Sequence, residues 1–299
     1  SRMDPPSTAR VATDIVVSWS APAAHGAALA AYEISVYSQA TSAFVVDATQ
    51  CDGSDSGVFS ARQCIWPIAY LRSTYAYPVG ALVLFAVRAR NDEGWGALSN
   101  PNAGGATIQT VPVAMGAPVE GSATSDTQIE LTWAALASVS SSGGATITSY
   151  ALEWDEGSGT GNFVVLRGEP SPDTTTAYLL TTGVTAGAPY VFRLRASNAL
   201  GWGAYSPTTT VTPSSVPAAM AAPTTAASSV YAQVSWAPPD DNGAAVTAYR
   251  VLIRKGDGGL TEDLTYCDGA DPAVRAAGYC LIPMAALRAA PYSLAAGAL

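Results

Sequence analysis

The sequence predicts an all-β chain: tandem seven-stranded β-sandwiches in a linear rod, the third one incomplete. Three observations carry that prediction. Trp19, Trp133 and Trp236 each end a short alternating apolar run, and Tyr32, Tyr150 and Tyr249 follow them by 13, 17 and 13 residues. The tryptophan periods, 114 and 103 residues, have the size of a small domain rather than of a solenoid repeat. Between these landmarks, apolar and polar residues alternate with period two and are punctuated by Gly, Ser, Pro and Asp, with no comparable helical period.

The first unit, residues 1–110, has inward-facing sets Ile15, Val17 and Trp19, then Tyr32, Ile34 and Val36, then Val83, Phe85, Val87 and Ala89. The second, residues 111–214, is the most regular. Ile129, Leu131 and Trp133 share one face, opposite Gln128, Glu130 and Thr132. Tyr150, Leu152 and Trp154 repeat the pattern. Residues 162–167 and 176–180 are further strand candidates, Tyr190, Phe192, Leu194 and Ala196 face inward against outward Arg193 and Arg195, and residues 208–212 form a β-branched last strand. The third unit, residues 215–299, repeats Ala232, Val234 and Trp236, then Tyr249, Val251 and Ile253. The expected core therefore includes Trp19, Tyr32, Trp133, Tyr150, Tyr190, Trp236 and Tyr249. A Met-x-x-Pro frame precedes each unit, at residues 3–6, 115–118 and 220–223. The linkers, residues 111–115 and 216–220, share a Val-Pro start, and proline stiffens a short connection. Residues 297–299 align with residues 80–82, so the third unit is expected to stop before its last two strands. A piece of a longer polymer is the expectation, and strands from another chain the alternative.

Bulk composition excludes several functions. The 299-residue chain is 48% hydrophobic and 12% charged, with net charge −9 and a single lysine, Lys255. Nucleic-acid binding needs clustered Lys and Arg to displace counterions, and docking on anionic lipid needs the same. Neither partner is expected. The longest apolar run, residues 76–87, is 12 residues long and broken by Pro78 and Gly80, too short to span a bilayer. Ser1 reads as a mid-chain start, so the missing signal peptide carries no weight.

The four cysteines are two copies of one device. Cys51 and Cys64 lie 13 residues apart, as do Cys267 and Cys280. Asp-Gly follows each first cysteine and a proline follows each second one by three. Metal sites want CxxC pairs or nearby histidines, and the only histidine is His25. Two local disulfides are expected, with free buried thiols as the alternative. Each bridge would close a short loop and restrict the unfolded chain by roughly 3 kcal/mol. Disulfides imply an oxidising compartment, hence an extracellular or cell-surface location.

These residues resemble the fibronectin type III family of immunoglobulin-like sandwiches. The tryptophan, the following tyrosine and the run Arg193-Leu-Arg-Ala-Ser-Asn-Ala-Leu-Gly-Trp-Gly203 resemble that family's Arg-x-x-Asn-x-x-Gly-x-Gly stretch. Arg88-Ala-Arg-Asn-Asp-Glu-Gly-Trp-Gly96 is the matching piece of the first unit. Tyr190 stands where the family has its corner tyrosine. Val83 holds that place in the first unit, where the cysteine insertion is expected to lock the corner. The insertion, with Pro-Tyr-Ser-Leu at 291–294, resembles repeat proteins of protist surfaces and extracellular filaments.

Candidate sites are few. Trp95 and Trp202 sit in Gly-Trp-Gly turns and are the candidate contact residues. The main expectation for each is a plug against a neighbouring unit or linker, and the alternative is an exposed ring that stacks on a sugar or partner. The acidic set Asp257, Glu262, Asp263, Asp268 and Asp271 lacks the spacing of a calcium loop and reads as a solvated face. Lys255-Gly-Asp257 is a three-residue match near chance, and His25 has no carboxylate or cysteine close in sequence. No GxSxG, P-loop, HExxH or dinucleotide fingerprint occurs, so no catalysis, cofactor or metal is expected. No Asn-x-Ser/Thr acceptor occurs, whereas Ser, Thr and Pro crowd residues 208–215 and 223–229, which suits O-linked glycans.

The expected function is a structural segment of an extracellular rod or filament whose partners are further copies of such domains. The alternatives are an adhesion or receptor ectodomain, a non-catalytic spacer of a secreted carbohydrate-active enzyme, and an intracellular scaffold with reduced cysteines.

Overall fold

A computed structural model describes residues 2–295. The alignment of residues 297–299 with residues 80–82 lies outside them. The chain is mostly strands in sheets, with few helices. Its buried residues form three separate clusters, one around each of Trp19, Trp133 and Trp236.

Around Trp19 lie β1 (Ser7–Val11), β2 (Asp14–Ser18), β3 (Ala31–Ser38), β4 (Ala43–Val46), α1 (Ser56–Ala61), β5 (Gln63–Pro67), α2 (Ile68–Tyr75), β6 (Phe85–Asn91) and β7 (Gly94–Trp95). They make two antiparallel sheets, ordered β1-β2-β5 and β4-β3-β6-β7. Alternation decides which side chains meet: Ile15, Val17, Ile34, Val36, Phe85 and Val87 are at most 1% exposed and fill the space between the sheets.

Around Trp133 the same plan recurs without helices. β8 (Val119–Glu120), β9 (Ile129–Thr132) and β12 (Ala177–Leu180) form one sheet. Facing it are β10 (Ile147–Trp154), β11 (Val164–Arg167), β13 (Tyr190–Asn198), β14 (Gly201–Trp202) and β15 (Thr209–Val211). Around Trp236 are β16 (Thr224–Ser228), β17 (Tyr231–Ser235), β18 (Leu252–Arg254), β19 (Leu260–Glu262), α3 (Pro272–Ala277), β20 (Tyr279–Pro283) and α4 (Met284–Arg288). Among the described residues two small sheets form there, β16-β17-β20 and β18-β19.

The tryptophan–tyrosine pairs bridge the sheets in the same way each time. Ring centroids are 5.5 Å apart for Trp19–Tyr32, 6.4 Å for Trp133–Tyr150 and 5.4 Å for Trp236–Tyr249, all steeply inclined. The tyrosine backbones are anchored alike: Tyr32 N–H donates to Gly53 O at 3.1 Å and Tyr249 N–H to Gly269 O at 3.0 Å. A Cβ on either glycine would lie about 2 Å from the tyrosine carbonyl oxygen, so the Asp-Gly after each first cysteine is sterically required. Two disulfides form, Cys51–Cys64 and Cys267–Cys280, with Cα separations of 5.8 and 5.2 Å. Each ties the loop that carries this glycine to the strand beside β2 or β17, since Cys64 lies opposite Val17 and Cys280 opposite Val234.

Three sequence expectations need correction. The cysteine insertions hold four short helices, where none was expected. Five to eight residues are too few to display a helical period. Their start signals were nonetheless present: Asp55 and Asp271 accept hydrogen bonds from the first-turn N–H groups of α1 and α3, and Pro272 opens α3. Second, Tyr249 and Val251 precede β18 instead of lying in a strand. Third, one member of the acidic set in the third unit, Asp263, is buried instead of solvated. Asp263, Asp268 and Asp271 cap local turns, Glu262 pairs with Arg250 and Asp257 with Lys255.

The corner expectations are resolved by named bonds. Tyr190 Oη donates to Gly183 O at 3.0 Å and accepts from Thr185 N–H at 2.8 Å. In the first unit Val83 is fully buried and Tyr77 Oη accepts from Leu84 N–H at 3.1 Å. The insertion adds a second lock. Asp47 accepts from Tyr70 Oη at 2.6 Å, Tyr75 Oη at 2.7 Å and the Thr49 and Gln50 N–H groups. Burial opposes the Asp47 charge, but these donors outweigh it and hold the carboxyl at about 2. The counterpart is Asp263: burial, and then the Asp263 carboxylate, push the Tyr292 phenol up to about 12.

Because Asp47 ionises more easily folded than at its ordinary 3.8, its contribution is complete above that value and is lost as pH falls towards 2. Asp47→Asn should lower the stability of the first unit at pH 7 by about 1–2 kcal/mol. It should also flatten the loss of melting temperature between about pH 4 and pH 2. Calorimetry on both proteins across that range checks this.

Candidate functional site

Two features rise above the packing of single units: the junctions between them and the aromatic faces next to the Gly-Trp-Gly turns. Both start from backbone conformation. A loop inside each unit ends its crossing with two consecutive residues at positive φ: His25 (50°) and Gly26 (90°), Gly143 (75°) and Gly144 (73°), Asn242 (50°) and Gly243 (84°). Left-handed backbone favours Gly and tolerates Asn. In the second and third units the linker before the unit bonds the carbonyl of the first residue of the pair.

The two junctions use the same hydrogen bonds. At the first, Thr110 N–H donates to Gly143 O at 2.8 Å and Val113 N–H to Ser141 O at 3.0 Å. At the second, Ser215 N–H donates to Asn242 O at 3.0 Å and Ala218 N–H to Asp240 O at 2.8 Å. The preceding unit contributes a glycine to each: Gly80 N–H donates to Ile108 O at 2.8 Å, and Gly187 N–H to Pro213 O at 2.9 Å. Contact is so close that a Cβ on Gly144 would lie 2.9 Å from Ile108 O, and one on Gly243 2.3 Å from Gly187 N. At the first junction Asn198, 4% exposed, adds side-chain bonds to Thr110 O and Ser142 O at 2.8 Å each. The signal was in the sequence as a Gly or Asn-Gly pair at matching places, but without partners it reads as an ordinary turn.

Trp95 and Trp202 occupy matching turns and different surroundings. Trp202 lies beside Arg195, whose guanidinium carbon is 4.8 Å from the indole centroid and 4.5 Å from that of Tyr205. Arg193 continues the stack, 3.8 Å from Tyr205 and 4.0 Å from Phe163. Glu153, 4% exposed, anchors it by accepting from Arg193 at 2.8 Å and Tyr205 Oη at 2.7 Å. Rings and guanidinium groups thus alternate over one sheet face. The turn itself abuts the linker, because a Cβ on Gly203 would lie 2.4 Å from Pro112 O. Trp95 is 41% exposed, with Arg88 at 5.1 Å and Arg90 at 5.6 Å. Arg88 is held by a two-pronged pair with Glu33 at 2.7 and 3.0 Å. Nothing lies within 4 Å of a Cβ placed on Gly94 or Gly26.

The remaining candidates have no chemistry to share. Lys255 and Asp257 bond each other within the β18–β19 turn. His25 is exposed at its loop tip. Among the described residues no group of His, Cys, Asp and Glu is arranged to hold a metal, and no helix is long and apolar enough to cross a membrane.

Gly243→Val should strain its left-handed backbone and push the two units apart, while leaving each unit's melting transition in place. Electron–electron double resonance between labels at Thr160 and Ser229 should broaden on that substitution. An unchanged narrow distribution would show that the close approach does not fix the junction.

Comparisons with known proteins find a family match over part of the chain. Residues 116–212 match the sequence family described as fibronectin type III domain. Fibronectin type-III domain-containing protein 3a of Gallus gallus is 37% identical over 111 residues, which is 36% of this chain and 9% of that protein. The crystal structure of chicken CNTN1 FN1-FN3 domains covers 87% of this chain, and the chain covers 84% of it, at 15% identity and a TM-score of 0.36. The chain therefore carries a fibronectin type III domain, over residues 116–212.

Proposed function

We propose that the chain is a structural segment of an extracellular rod or filament, built from β-sandwich units over residues 1–110, 111–214 and 215–299. One observation carries this reading: the two junctions repeat the same pair of linker-to-loop hydrogen bonds with the same residue spacing. A flexible string has no need of such a device. A rod does, since each repeated clasp fixes the next unit's direction and fixed directions add along the chain. The disulfides suit an oxidising compartment, and Thr224, Thr225, Ser228 and Ser229 are exposed where O-linked glycans would keep a weakly charged rod soluble. The natural partners of this segment are further units of its own kind, and no step of the proposal needs a cofactor or catalysis. The resemblance to protist filament proteins is consistent with this role and rests on the cysteine insertion.

A second reading, adhesion to a protein or glycan, is favoured by one residue. Trp95 stands exposed over two arginines, whereas its counterpart Trp202 is half-buried beside the linker.

Small-angle X-ray scattering of the 299-residue chain in oxidising buffer separates a rod from a string. The rod reading predicts one elongated species whose pair-distance distribution is reproduced by a single conformation. A broad ensemble of compact and extended shapes would contradict it.

A further inference from the structure

Charge is divided unevenly between the two sheets of a unit. The ion pairs Arg88–Glu33, Arg193–Glu153 and Arg250–Glu262 lie on or beside the sheets that carry the core tyrosines. Among the described residues no ion pair reaches β1-β2-β5 or β16-β17-β20. Both of these sheets bury one set of alternate residues, Val17 and Cys64 in the first unit and Cys280 and Ile282 in the third, and turn the other set to solvent. Of the nine residues that each outer face presents, Asp14 alone is charged. Ile65 is 53% exposed on the first face and Leu281 38% on the third. The second unit, which lacks the cysteine device, has Glu130 where Val16 and Gln233 stand at the centre of the other two.

The two faces also share a shape. Their middle cross-strand rows are Ala9, Val16, Ile65 and Ala226, Gln233, Leu281. Along β1 and β16 the outward side chains are mostly small, with Ser7 beside Ala9 and with Thr224 and Ser228 around Ala226. Along β5 and β20 they are larger, with Gln63 beside Ile65 and Tyr279 beside Leu281. Each face is therefore a wedge, low on one edge strand and high on the other. Two wedges fill one another when one is turned half a revolution about the strand direction. The high column of each then lies over the low column of the other, Ile65 on Ala226 and Leu281 on Ala9, with all strands parallel.

Asp14 decides which faces meet. First face on first face would set Asp14 against its own copy, a like-charge contact. First face on third sets Asp14 over Tyr231, 40% exposed, whose hydroxyl can donate to the carboxylate. In a chain of net charge −9, these faces are where two copies approach with least repulsion.

We infer that the outer face of β1-β2-β5 is a lateral docking surface for a second copy of this chain, which presents the outer face of its β16-β17-β20. The copies point the same way, and because the two surfaces differ, the contact is heterologous and propagates without closing. Each face measures roughly 240 Å² of sheet, against the ~800 Å² that each partner gives to a stable complex. A single contact is weak and holds by repetition along many copies. The inference rests on the reading that the partners of these units are units of the same kind. It is judged separately from the rod, whose scattering test uses the dilute, unassociated chain.

Sedimentation velocity of the whole oxidised chain, up to millimolar concentration, tests it. The weight-average sedimentation coefficient should rise steadily, without a plateau at the dimer. Ala9→Glu and Leu281→Lys, both at exposed positions, should each weaken association roughly tenfold by placing a charge in the contact. Combined in one chain they should restore it, since the two new charges meet between copies. Val164→Lys, on the edge strand β11, should leave association unchanged. No rise with concentration would overturn the inference, as would a plateau at the dimer or a loss caused by Val164→Lys. A loss with Leu281→Lys while Ala9→Glu is silent would overturn it too, by pairing the third face with itself.

Discussion

The architecture depends on backbone approaching backbone more closely than any side chain allows. Gly243 against Gly187, Gly144 against Ile108 and Gly203 against Pro112 are contacts that a Cβ would abolish. Inside the units the same constraint recurs at Gly53 and Gly269, which let the core tyrosine N–H reach across a loop. Glycine at these points is a steric requirement of the assembly, and its entropic cost in the unfolded chain is offset by the bonds it admits.

Each unit can meet that constraint because its core is held independently. The tryptophan–tyrosine pair joins the sheets, and what completes the sandwich differs by unit. The second uses the Tyr190 corner; the first uses a disulfide, two helical turns and Asp47 bonded to two tyrosines. These are different solutions to one need, satisfying loop polar groups where the chain crosses from sheet to sheet. The third unit shares the disulfide and the Asp263 lock, and among the described residues its buried cluster is Trp236, Cys267, Cys280 and Ile282.

Much of this was legible in the residues. Period-two alternation located the strands around Trp19 and Trp133, since half-buried strands expose that period directly. The cysteine spacing predicted both bridges. What escaped was whatever depends on partners far away in sequence. The helices were too short to show a period, though Asp55 and Asp271 marked their starts. The recurrence Asp-x-Thr-x-Cys-Asp-Gly, at 47–53 and 263–269, held the Asp47 and Asp263 locks, but tyrosines 23 and 28 residues beyond Asp47 gave no local sign of meeting it. The junction was hidden for the same reason: a Gly pair in a loop looks like a turn until the linker is laid against it. Trp95 and Trp202 have the same local sequence, and only their neighbours separate an exposed ring from one half-covered beside a linker.

The repeated clasp is the central claim, and native-state amide hydrogen exchange reads it directly. Thr110, Val113, Ser215 and Ala218 lie in or next to Pro-containing linkers, where a free N–H exchanges at the rate of an unstructured peptide. If the clasp holds in solution, all four should exchange slowly, in step with the opening of the unit that follows each linker. Exchange of the four at unprotected rates, with the strands of both neighbouring units still protected, would contradict the account.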